Sequence, residues 1–296
     1  MTKRIYVITS ASGRIAGAVA SGLLRAGHEV RAIARDPEKL RTLAAQGATV
    51  ITGNLTDRAL LEHAFTGADA ALLLISGDRA SRDFRRYFAD VGAGYAAAAR
   101  ATRLPSALFV SSLGAHSERH RGLVLIHRDV ELALDDVPTL ATTHLRAPFF
   151  YENLFYFTHA MKTRGGLFTP LEPDVAIDMG ATRDVAALAL RLLAEPAARR
   201  TVHELHGVRP LALREIAGVI AAQLGRAFPA DRTSRGDHIE LLVQAGASYD
   251  FAHLMNDAWD TFSTVGLMRD PAAHAATNAT TRIDDFVREH VLPKLA

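Results

Sequence analysis

The sequence predicts an α/β fold in which helices cover both faces of a doubly wound parallel sheet, with a second lobe that is small and mostly helical. The first observation is that short apolar, β-branched runs alternate repeatedly with stretches of helical periodicity before residue 146. The second is that the run Ala70–Ile75 is apolar throughout, which is typical of a strand buried on both faces. The third is that separated amphipathic helical segments dominate the rest of the chain.

The composition limits the classes of function. The chain has 296 residues, 49% hydrophobic and 22% charged, which is enough to bury a core without a disulfide or metal. It has no cysteine, so disulfides and thiolate metal sites are excluded. The net charge of +2 does not favour nucleic acid or an anionic membrane as a partner.

The predicted elements also limit location and partners. A strand begins at Ile5, which leaves no room for a signal peptide, and no apolar run is long enough to cross a bilayer. We therefore expect a cytoplasmic protein that acts on a small molecule and binds no nucleic acid and no membrane. The oligomeric state stays open, with a homodimer among the alternatives.

The stretch Ile5–Gly17 predicts a strand, a tight turn of small residues and a helix. A dinucleotide-binding G-x-x-G-x-x-G turn would have glycines at positions 10, 13 and 16, which are Ser10, Gly13 and Ala16 here. Such a turn directs backbone N–H groups and the positive end of a helix dipole at one point, which suits a phosphate. A plain turn without a ligand is the alternative.

The end of the second predicted strand, His28–Arg35, indicates which dinucleotide is used. In this architecture an acid at that position binds the ribose 2′-hydroxyl of NAD, whereas an arginine accommodates the 2′-phosphate of NADP. Arg35 ends the strand, Arg14 is a second candidate for the phosphate, and Asp36 comes one residue late for the NAD role. NADP(H) is therefore favoured over NAD(H), and a solvated charge is the alternative for Arg35.

The later elements follow the same alternation. We expect Thr56 to cap the helix that begins at Asp57, and Asn54 either to bond adenine or to stabilise its turn. Ser76 and Gly77 follow the fourth strand, where a cofactor lies in this kind of sheet.

Further strands are expected at Ala48–Thr52, Ala107–Ser111, Thr142–Leu145 and Val202–Leu205. Helices are expected at Phe84–Ala98, Leu123–Leu134, 185–193, 216–224, 251–262 and 283–291.

A polar loop over Ser112–Gly122 contains His116 and His120. Their i, i+4 spacing would suit a metal ion on a helix. Because the stretch is a loop with no nearby acidic or cysteine motif, we expect no metal site there.

The most aromatic stretch of the chain follows Pro148. Aromatic residues beyond the carboxyl end of a strand are suited to lining a substrate pocket, and core packing between two lobes is the alternative. Phe150, Tyr151 and Asn153 are the candidate substrate-binding residues.

The change in character at this stretch predicts two lobes. We expect Thr182 or Asp184 to cap the helix that follows residue 181. The predicted nucleotide-binding domain covers 1–146 and is rejoined by 176–206, and the discontinuous substrate lobe covers 147–175 and 207–296.

These residues together resemble the NmrA-like family of atypical short-chain dehydrogenases over almost the whole chain. That family includes quinone reductases and cofactor-sensing regulators. Thr9–Gly13 resembles its T-G-A-T-G motif, and Arg146–Leu154 resembles R-P-x-x-F-x-E-N. Further similar segments are Arg35–Pro37, Gly53–Asp57, Phe109–Ser112 and Asp284–His290.

The resemblance implies a Rossmann-like fold, NADP(H) in the first lobe and a substrate pocket between the lobes. It implies that the pyrophosphate is surrounded by Ser10, Ser12, Gly13, Arg14 and Ile15, and that Arg35 binds the 2′-phosphate. It further implies that Asn54 and Leu55 contact the adenine and that Ile75 and Ser76 contact the adjoining ribose. Phe149 is implied to contact the cofactor as well. Two departures stand out. Ser10 replaces the family glycine where backbone approaches the cofactor, and Asn54 replaces an acid.

The resemblance also bears on the chemistry. Ordinary short-chain dehydrogenases carry Tyr-x-x-x-Lys on the helix after the fifth strand, where both groups share one face. Leu123 and His127 stand at those positions, so the phenol is absent. His127 is the catalytic candidate, which would orient the nicotinamide ribose or supply a proton near neutral pH. A buried histidine at the edge of an apolar stripe, paired with Glu131, is the alternative.

Three functions follow from these patterns. The first is an NADPH-dependent reductase of a quinone or similar conjugated carbonyl compound. The second is a non-catalytic regulator that senses NAD(P) and binds a protein partner, which the missing Tyr and Lys suggest. The third is a redox-silent cyclase or isomerase, which Ser10 suggests.

Overall fold

The computed structural model describes residues 2–266 and 269–295. Residues 1, 267–268 and 296, which the predicted domain bounds include, lie outside the described residues. An eight-stranded sheet forms the centre of the described part. Its strands are β1 (Ile5–Ile8), β2 (Glu29–Ala34), β3 (Thr49–Thr52), β4 (Ala70–Leu73), β5 (Ser106–Ser112), β6 (Ala141–Ala147), β10 (Thr201–His206) and β13 (Ala275–Asn278).

The order across this sheet is β13-β10-β6-β5-β4-β1-β2-β3, and every neighbouring pair is parallel. Because β1 lies between β2 and β4, the chain winds outward in both directions from β1. A crevice opens at the carboxyl ends of the strands at such a reversal. The Rossmann-like, doubly wound α/β fold that the sequence predicts is confirmed.

Short strands outside this sheet organise the rest of the chain. They are β7 (Phe149–Phe150), β8 (Leu167–Thr169), β9 (Ile177–Gly180), β11 (Pro210–Leu211) and β12 (Ala230–Arg232). β9 pairs with β7 and β11, and β8 pairs with β12. The predicted domain bounds stay a prediction. β13, which falls in the predicted substrate lobe, pairs with β10 in the large sheet.

The helices cover both faces of the large sheet. They are α1 (Arg14–Arg25), α2 (Arg41–Ala45), α3 (Arg58–Phe65), α4 (Phe84–Thr102), α5 (Leu123–Asp135), α6 (Thr158–Arg164), α7 (Thr182–Ala194), α8 (Leu213–Leu224), α9 (Arg235–Gln244), α10 (Tyr249–Val265), α11 (Ile283–Phe286) and α12 (Leu292–Leu295). α1 packs against α7 on one face, while α4 packs against α3 and α5 on the other. Gly92 of α4 lets Val130 of α5 approach, because a Cβ at Gly92 would lie 2.9 Å from a Val130 methyl carbon.

Two predicted helix caps are wrong. Asp57, not Thr56, caps α3 by accepting a hydrogen bond from Leu60 N at 3.1 Å. Neither Thr182 nor Asp184 caps α7, because the Glu152 carboxylate accepts a hydrogen bond from Thr182 N at 3.1 Å. A carboxylate from a distant segment thus satisfies one of the free N–H groups in the first turn of the helix.

Helices α6 and α8–α12 lie beyond the predicted nucleotide-binding domain, as expected of a mostly helical second lobe. The side chains of α10 join the main hydrophobic core through Phe251, Trp259 and Phe262. Within residues 2–266 and 269–295, no helix is both long enough and apolar enough to cross a membrane.

A buried group of charges ties three parts of the chain together. Arg146 on β6 is 2% exposed and donates to both carboxylate oxygens of Glu131 on α5, at 2.9 and 2.7 Å. Its third nitrogen donates to Asp270 at 2.6 Å. Burial opposes the ionisation of Glu131, but the hydrogen bonds from Arg146 prevail and hold the pKa of Glu131 below its usual value. The expected pairing of Glu131 with His127 is wrong, because Arg146 occupies its carboxylate.

The same group extends into β10. Glu204 accepts a hydrogen bond from Asp270 N at 3.1 Å and faces His206 at 3.1 Å. The His206 ring also faces Asp178 at 3.3 Å. Hydrogen bonds with Asp178 and Glu204 raise the pKa of His206 to about 9, so the ring carries a charge at neutral pH. The alternation of cation and carboxylate allows these groups to stay ionised away from water.

Replacing Arg146 with leucine should strongly destabilise the fold. The substitution leaves the buried Glu131 and the half-buried Asp270 without their cation, a change that costs about 3–5 kcal/mol. Chemical denaturation of Arg146→Leu measures the loss in the free energy of unfolding. Arg86→Leu is the matched control, because Arg86 pairs with Asp90 on the protein surface and its loss should leave the denaturation midpoint unchanged. Equal midpoints for the two variants would contradict the structural role of the buried charges.

Candidate active site

A cavity of about 340 Å³ lies at the carboxyl ends of β1 to β4, where the sheet reverses. Each of the four strands contributes part of its wall through the loop that follows it. Of the predicted cofactor residues, this cavity is lined by Ser10, Ser12, Arg35, Leu55 and Ser76. The position and the lining agree with the crevice in which open α/β sheets bind nucleotides.

The turn between β1 and α1 is closed by its own backbone. Ser10 adopts a left-handed conformation with φ of 51°, and its carbonyl accepts a hydrogen bond from Gly13 N at 2.9 Å. Gly13 precedes the first residue of α1, and no side chain caps the helix. The first turn of α1 also lacks acidic residues, so its N–H groups and dipole are available to an anion.

The side chain of Ser10 is hydrogen-bonded within the protein. Its hydroxyl donates to Leu74 O at 2.8 Å and accepts from Ser76 N at 3.0 Å. The residue is 4% exposed, so this hydroxyl joins the loop after β1 to the loop after β4 in a region shielded from water. The departure from the family glycine thus adds a link between two loops.

Thr9 and Tyr95 complete this link. Thr9 Oγ1 accepts a hydrogen bond from Leu74 N at 2.8 Å and one from the Tyr95 hydroxyl at 3.0 Å. Tyr95 comes from the middle of α4, and burial raises the pKa of its phenol far above the usual range. The phenol is therefore a permanent donor, and three segments of chain meet at Thr9.

The end of the cavity beside β2 carries two cations and one carboxylate. Arg35, Asp36 and Lys39 all line it. The Asp36 carboxylate accepts a hydrogen bond from Glu38 N at 3.0 Å and caps the short turn Pro37–Leu40. Asp36 is therefore engaged in its own turn. Lys39 was missed from the sequence, although a helical turn begun by Pro37 returns residue 39 toward the strand end.

Asn54, Arg14 and Ile15 lie outside this cavity. Asn54 Oδ1 accepts a hydrogen bond from Thr56 N at 3.2 Å and stabilises the turn, which is the simpler of its two predicted roles. The Arg14 guanidinium lies 5.4 Å from the centre of the Phe155 ring, in a separate groove, and Ile15 is buried in the core beneath α1. Only the backbone of Arg14 and Ile15 belongs to the turn that faces the cavity.

A second cavity of about 450 Å³ adjoins the first at Ser76 and lies over the carboxyl ends of β4, β5 and β6. Of the predicted residues it is lined by Ile75, Ser76, His127, Phe149, Phe150 and Asn153. Residues that were missed from the sequence line it as well, namely Arg79, Phe84, Phe88, Tyr156, Phe251, Met255 and Phe262. The sequence patterns marked the starts of α4 and α10 as amphipathic but did not show which apolar side chains face a cavity.

Tyr151 is not part of this cavity. It is 1% exposed, and its ring centre lies 5.2 Å from that of Phe286. Neighbouring residues in the aromatic stretch thus divide between the cavity wall and the core. The core-packing alternative therefore holds for Tyr151, which is not a residue of the proposed site.

His127 lines the second cavity from the first turn of α5. Its Nδ1 lies 2.8 Å from Leu123 O, which places a proton on Nδ1 and leaves Nε2 as an acceptor. Burial lowers the pKa of the imidazole, with Phe88 and Phe109 packed near the ring. The lowered pKa favours the neutral ring, which accepts a hydrogen bond at Nε2, over the proton-donating role. The catalytic role of His127 stays a prediction.

His120, in the loop before α5, is fully buried beside Phe262, and neither of its ring nitrogens has a hydrogen-bond partner. Burial lowers the pKa of His120 to about 4, so the ring is neutral at neutral pH. Among the residues that the structure describes, no group of three or more histidine, cysteine, aspartate or glutamate side chains could hold a metal ion.

Comparisons with known proteins agree with this geometry. The model of the NmrA-like family matches residues 1–256. Quinone oxidoreductase 2 of Escherichia coli is 28% identical over 268 residues, which cover 90% of this chain and 91% of that protein.

Two solved structures share the fold. An NADPH-dependent quinone oxidoreductase of Escherichia coli, crystallised with NADPH, has a TM-score of 0.80 and 26% identity, covering 97% of this chain and 99% of that one. A negative transcriptional regulator crystallised with NADP has a TM-score of 0.76 and 16% identity, covering 99% of this chain and 97% of that one. The second likeness, at this low identity, shows the fold alone.

Removing the Ser10 hydroxyl should loosen the junction of the two loops. Ser10→Ala keeps a Cβ in the left-handed backbone but leaves Leu74 O and Ser76 N without this partner, at a cost of about 1–2 kcal/mol. Thermal or chemical unfolding of the protein without cofactor measures the change. Ser12→Ala is the control, because Ser12 is exposed in the same turn. If both variants unfold like the unmodified protein, the hydroxyl does not hold the loops together.

Proposed function

The chain belongs to the NmrA-like family, and we propose that it is an NADPH-dependent reductase of quinones or similar conjugated carbonyl compounds. The observation that carries the proposal is the meeting of two unlike cavities at Ser76. One offers cations and an uncapped helix start, which suit a phosphorylated dinucleotide. The other offers aromatic walls, which suit a planar, uncharged ring system. The Escherichia coli quinone oxidoreductase, which is similar to this chain both in sequence and in structure, supports the same reaction class.

The residues present fit NADP(H). Ser12 and the backbone N–H groups of Arg14 and Ile15 would hold the diphosphate at the start of α1. Gly13 would support them by closing the turn, because its own N–H donates to Ser10 O. Arg35 and Lys39 would hold the 2′-phosphate, since two cations line the cavity beside β2 against the single carboxylate of Asp36, which caps its own turn.

The remaining contacts follow the path from adenine to nicotinamide. We place Leu55 beside the adenine, Ile75 and Ser76 beside the ribose, and Phe149 where the two cavities adjoin. Phe150 and Asn153 are placed with the substrate. Asn54 is assigned to stabilising its own turn and not to the adenine, and the Ser10 hydroxyl is assigned to supporting the loop through its hydrogen bonds.

When bound, NADPH supplies a hydride, so that a quinone, NADPH and one proton give a hydroquinone and NADP⁺. The chain needs to position the two rings and exclude water from between them, which the aromatic walls of the second cavity favour. We assign His127 Nε2 as an acceptor for a hydroxyl of cofactor or substrate. Hydride transfer leaves the hydroquinone as a monoanion with one phenolate oxygen. The proton for that oxygen is assigned to the solvent, because a phenolate is basic enough to be protonated without a buried strong acid.

A non-catalytic sensor of NADP(H) is the second candidate. The matching helix carries Leu123 and His127 instead of the Tyr and Lys pair, and burial lowers the pKa of His127, so this helix lacks the usual acid. The third candidate, a cofactor-free cyclase or isomerase, was suggested by the serine at position 10. The Ser10 hydroxyl is hydrogen-bonded to Leu74 and Ser76, so this residue no longer favours that candidate.

A turnover assay separates the two remaining candidates. Purified protein is mixed with NADPH or NADH and a panel of benzoquinones, naphthoquinones and phenanthrenequinone, and cofactor absorbance is followed. The reductase proposal expects one NADPH consumed for each quinone reduced, with a higher kcat/KM for NADPH than for NADH. Tight NADPH binding without turnover of any acceptor would favour the sensor and overturn the reductase.

Substitution of His127 tests its role as an acceptor. His127→Phe keeps the ring but removes Nε2, and we expect kcat/KM to fall about tenfold to a hundredfold through lost positioning. His127→Gln returns an oxygen acceptor and should recover much of the loss. The pH profile of the unmodified enzyme should lack an inflection near the usual histidine pKa, because burial lowers the pKa of His127. A clear loss of activity as His127 deprotonates near pH 6.5 would show that it acts as an acid.

A further inference from the structure

Arg79 provides the charge at the second cavity. Among the described residues that line this cavity, Arg79 alone carries a charged side chain, and the others are aromatic, aliphatic or neutral polar groups. It belongs to the loop between β4 and α4 and is exposed to solvent. The guanidinium lies 5.0 Å from the centre of the Tyr156 ring, which also lines the cavity. The cation therefore sits at the mouth of a largely apolar space.

The nearby carboxylates have other partners. Asp78 faces Arg35 at 3.9 Å, and Asp83 accepts a hydrogen bond from Arg86 N at 2.8 Å. Asp250 accepts one from Phe84 N at 2.7 Å. Within residues 2–266 and 269–295, no carboxylate lies within ion-pair distance of Arg79. An arginine without a carboxylate partner can offer its paired N–H groups to an incoming anion.

The backbone of this loop is anchored to the other wall of the cavity. Arg79 O accepts a hydrogen bond from Ser248 N at 2.7 Å. Ser248 caps α10 by accepting a hydrogen bond from Phe251 N at 3.1 Å, and the Phe251 ring packs against Phe84 at 5.0 Å. These contacts fix the backbone of Arg79 at one edge of the cavity, and the Tyr156 ring supports its guanidinium.

We propose that Arg79 selects substrates that carry an anionic group, and that the enzyme reduces planar aromatic carbonyl compounds bearing a carboxylate or sulfonate at one edge. This inference rests on the proposed reductase function and names its substrate class. The aromatic rings enter the apolar part of the cavity, and the anion stays at the mouth, where Arg79 pairs with it while remaining hydrated. An anion inside the cavity would meet aromatic walls without a cation, so the location of Arg79 also fixes the orientation of the substrate.

The test compares two quinones that differ by one charge, 1,2-naphthoquinone and 1,2-naphthoquinone-4-sulfonate, with NADPH as the reductant. Their kcat/KM values give a sulfonate-to-parent ratio. We expect Arg79→Gln to lower this ratio about fivefold, the size of a half-exposed ion pair. Arg79→Lys should recover part of it, and added salt should lower the ratio of the unmodified enzyme toward that of Arg79→Gln.

Arg82→Gln is the matched control, because Arg82 is exposed in the same loop, lies outside the cavity lining and carries the same charge. It should leave the ratio of the unmodified enzyme in place. An unchanged ratio in Arg79→Gln, or an equal drop in Arg82→Gln, would overturn the proposal. So would a rise in the KM for NADPH that accounts for the whole effect, since Arg79 would then belong to the cofactor site.

A binding measurement keeps this proposal separate from the reductase function. Trp259 is the single tryptophan of the chain, and its ring centre lies 4.9 Å from that of Phe149 on the cavity wall. Quenching of its fluorescence in the NADP⁺ complex reports binding of the sulfonate without turnover. If neither quinone is reduced, the reductase proposal fails. Weaker sulfonate binding by Arg79→Gln would still support the anion site, and equal binding would overturn it.

Discussion

The hydrogen bonds that join the loops after β1 and β4 are the constraint on which the site depends. The strand order reverses between these two strands, so their loops must diverge enough to leave a crevice and yet hold a fixed separation. Thr9, Ser10 and Tyr95 fix that separation through Leu74 and Ser76. Both cavities take part of their wall from this junction, because Ser76 lines each of them.

A second constraint on the site is the buried group of charges around Arg146. Arg146 binds Glu131 in the helix that carries His127, and Arg146 lies directly before the segment that contains Phe149. The buried charges therefore set the spacing between two walls of the second cavity. Asp270 extends the same group to the C-terminal part of the chain, so that a segment distant in sequence supports the site.

The fold was predictable because the spacing of apolar residues shows which face of each strand or helix is buried. Strands and helices both bury an apolar face, so their alternation could be followed along the chain. Local turn chemistry depends on few residues, as at Gly27 and Gly225, which both adopt positive φ at helix ends. Contacts that join distant segments were not readable. Glu152 at the start of α7, Arg146 beside Glu131 and Arg79 at the cavity mouth all depend on where separate segments meet. Tyr151 shows the same limit, because an aromatic residue has the same pattern in a core as in a cavity wall.

We propose that the turn after β1 still holds a diphosphate although serine replaces its leading glycine. A titration of the unmodified protein and of Ser10→Gly with NADPH and NADH, followed by nicotinamide fluorescence, tests this binding. We expect saturable binding of NADPH that is tighter than that of NADH, with similar dissociation constants for the two proteins. Binding that appears only in Ser10→Gly, or none in either protein at millimolar cofactor, would contradict it.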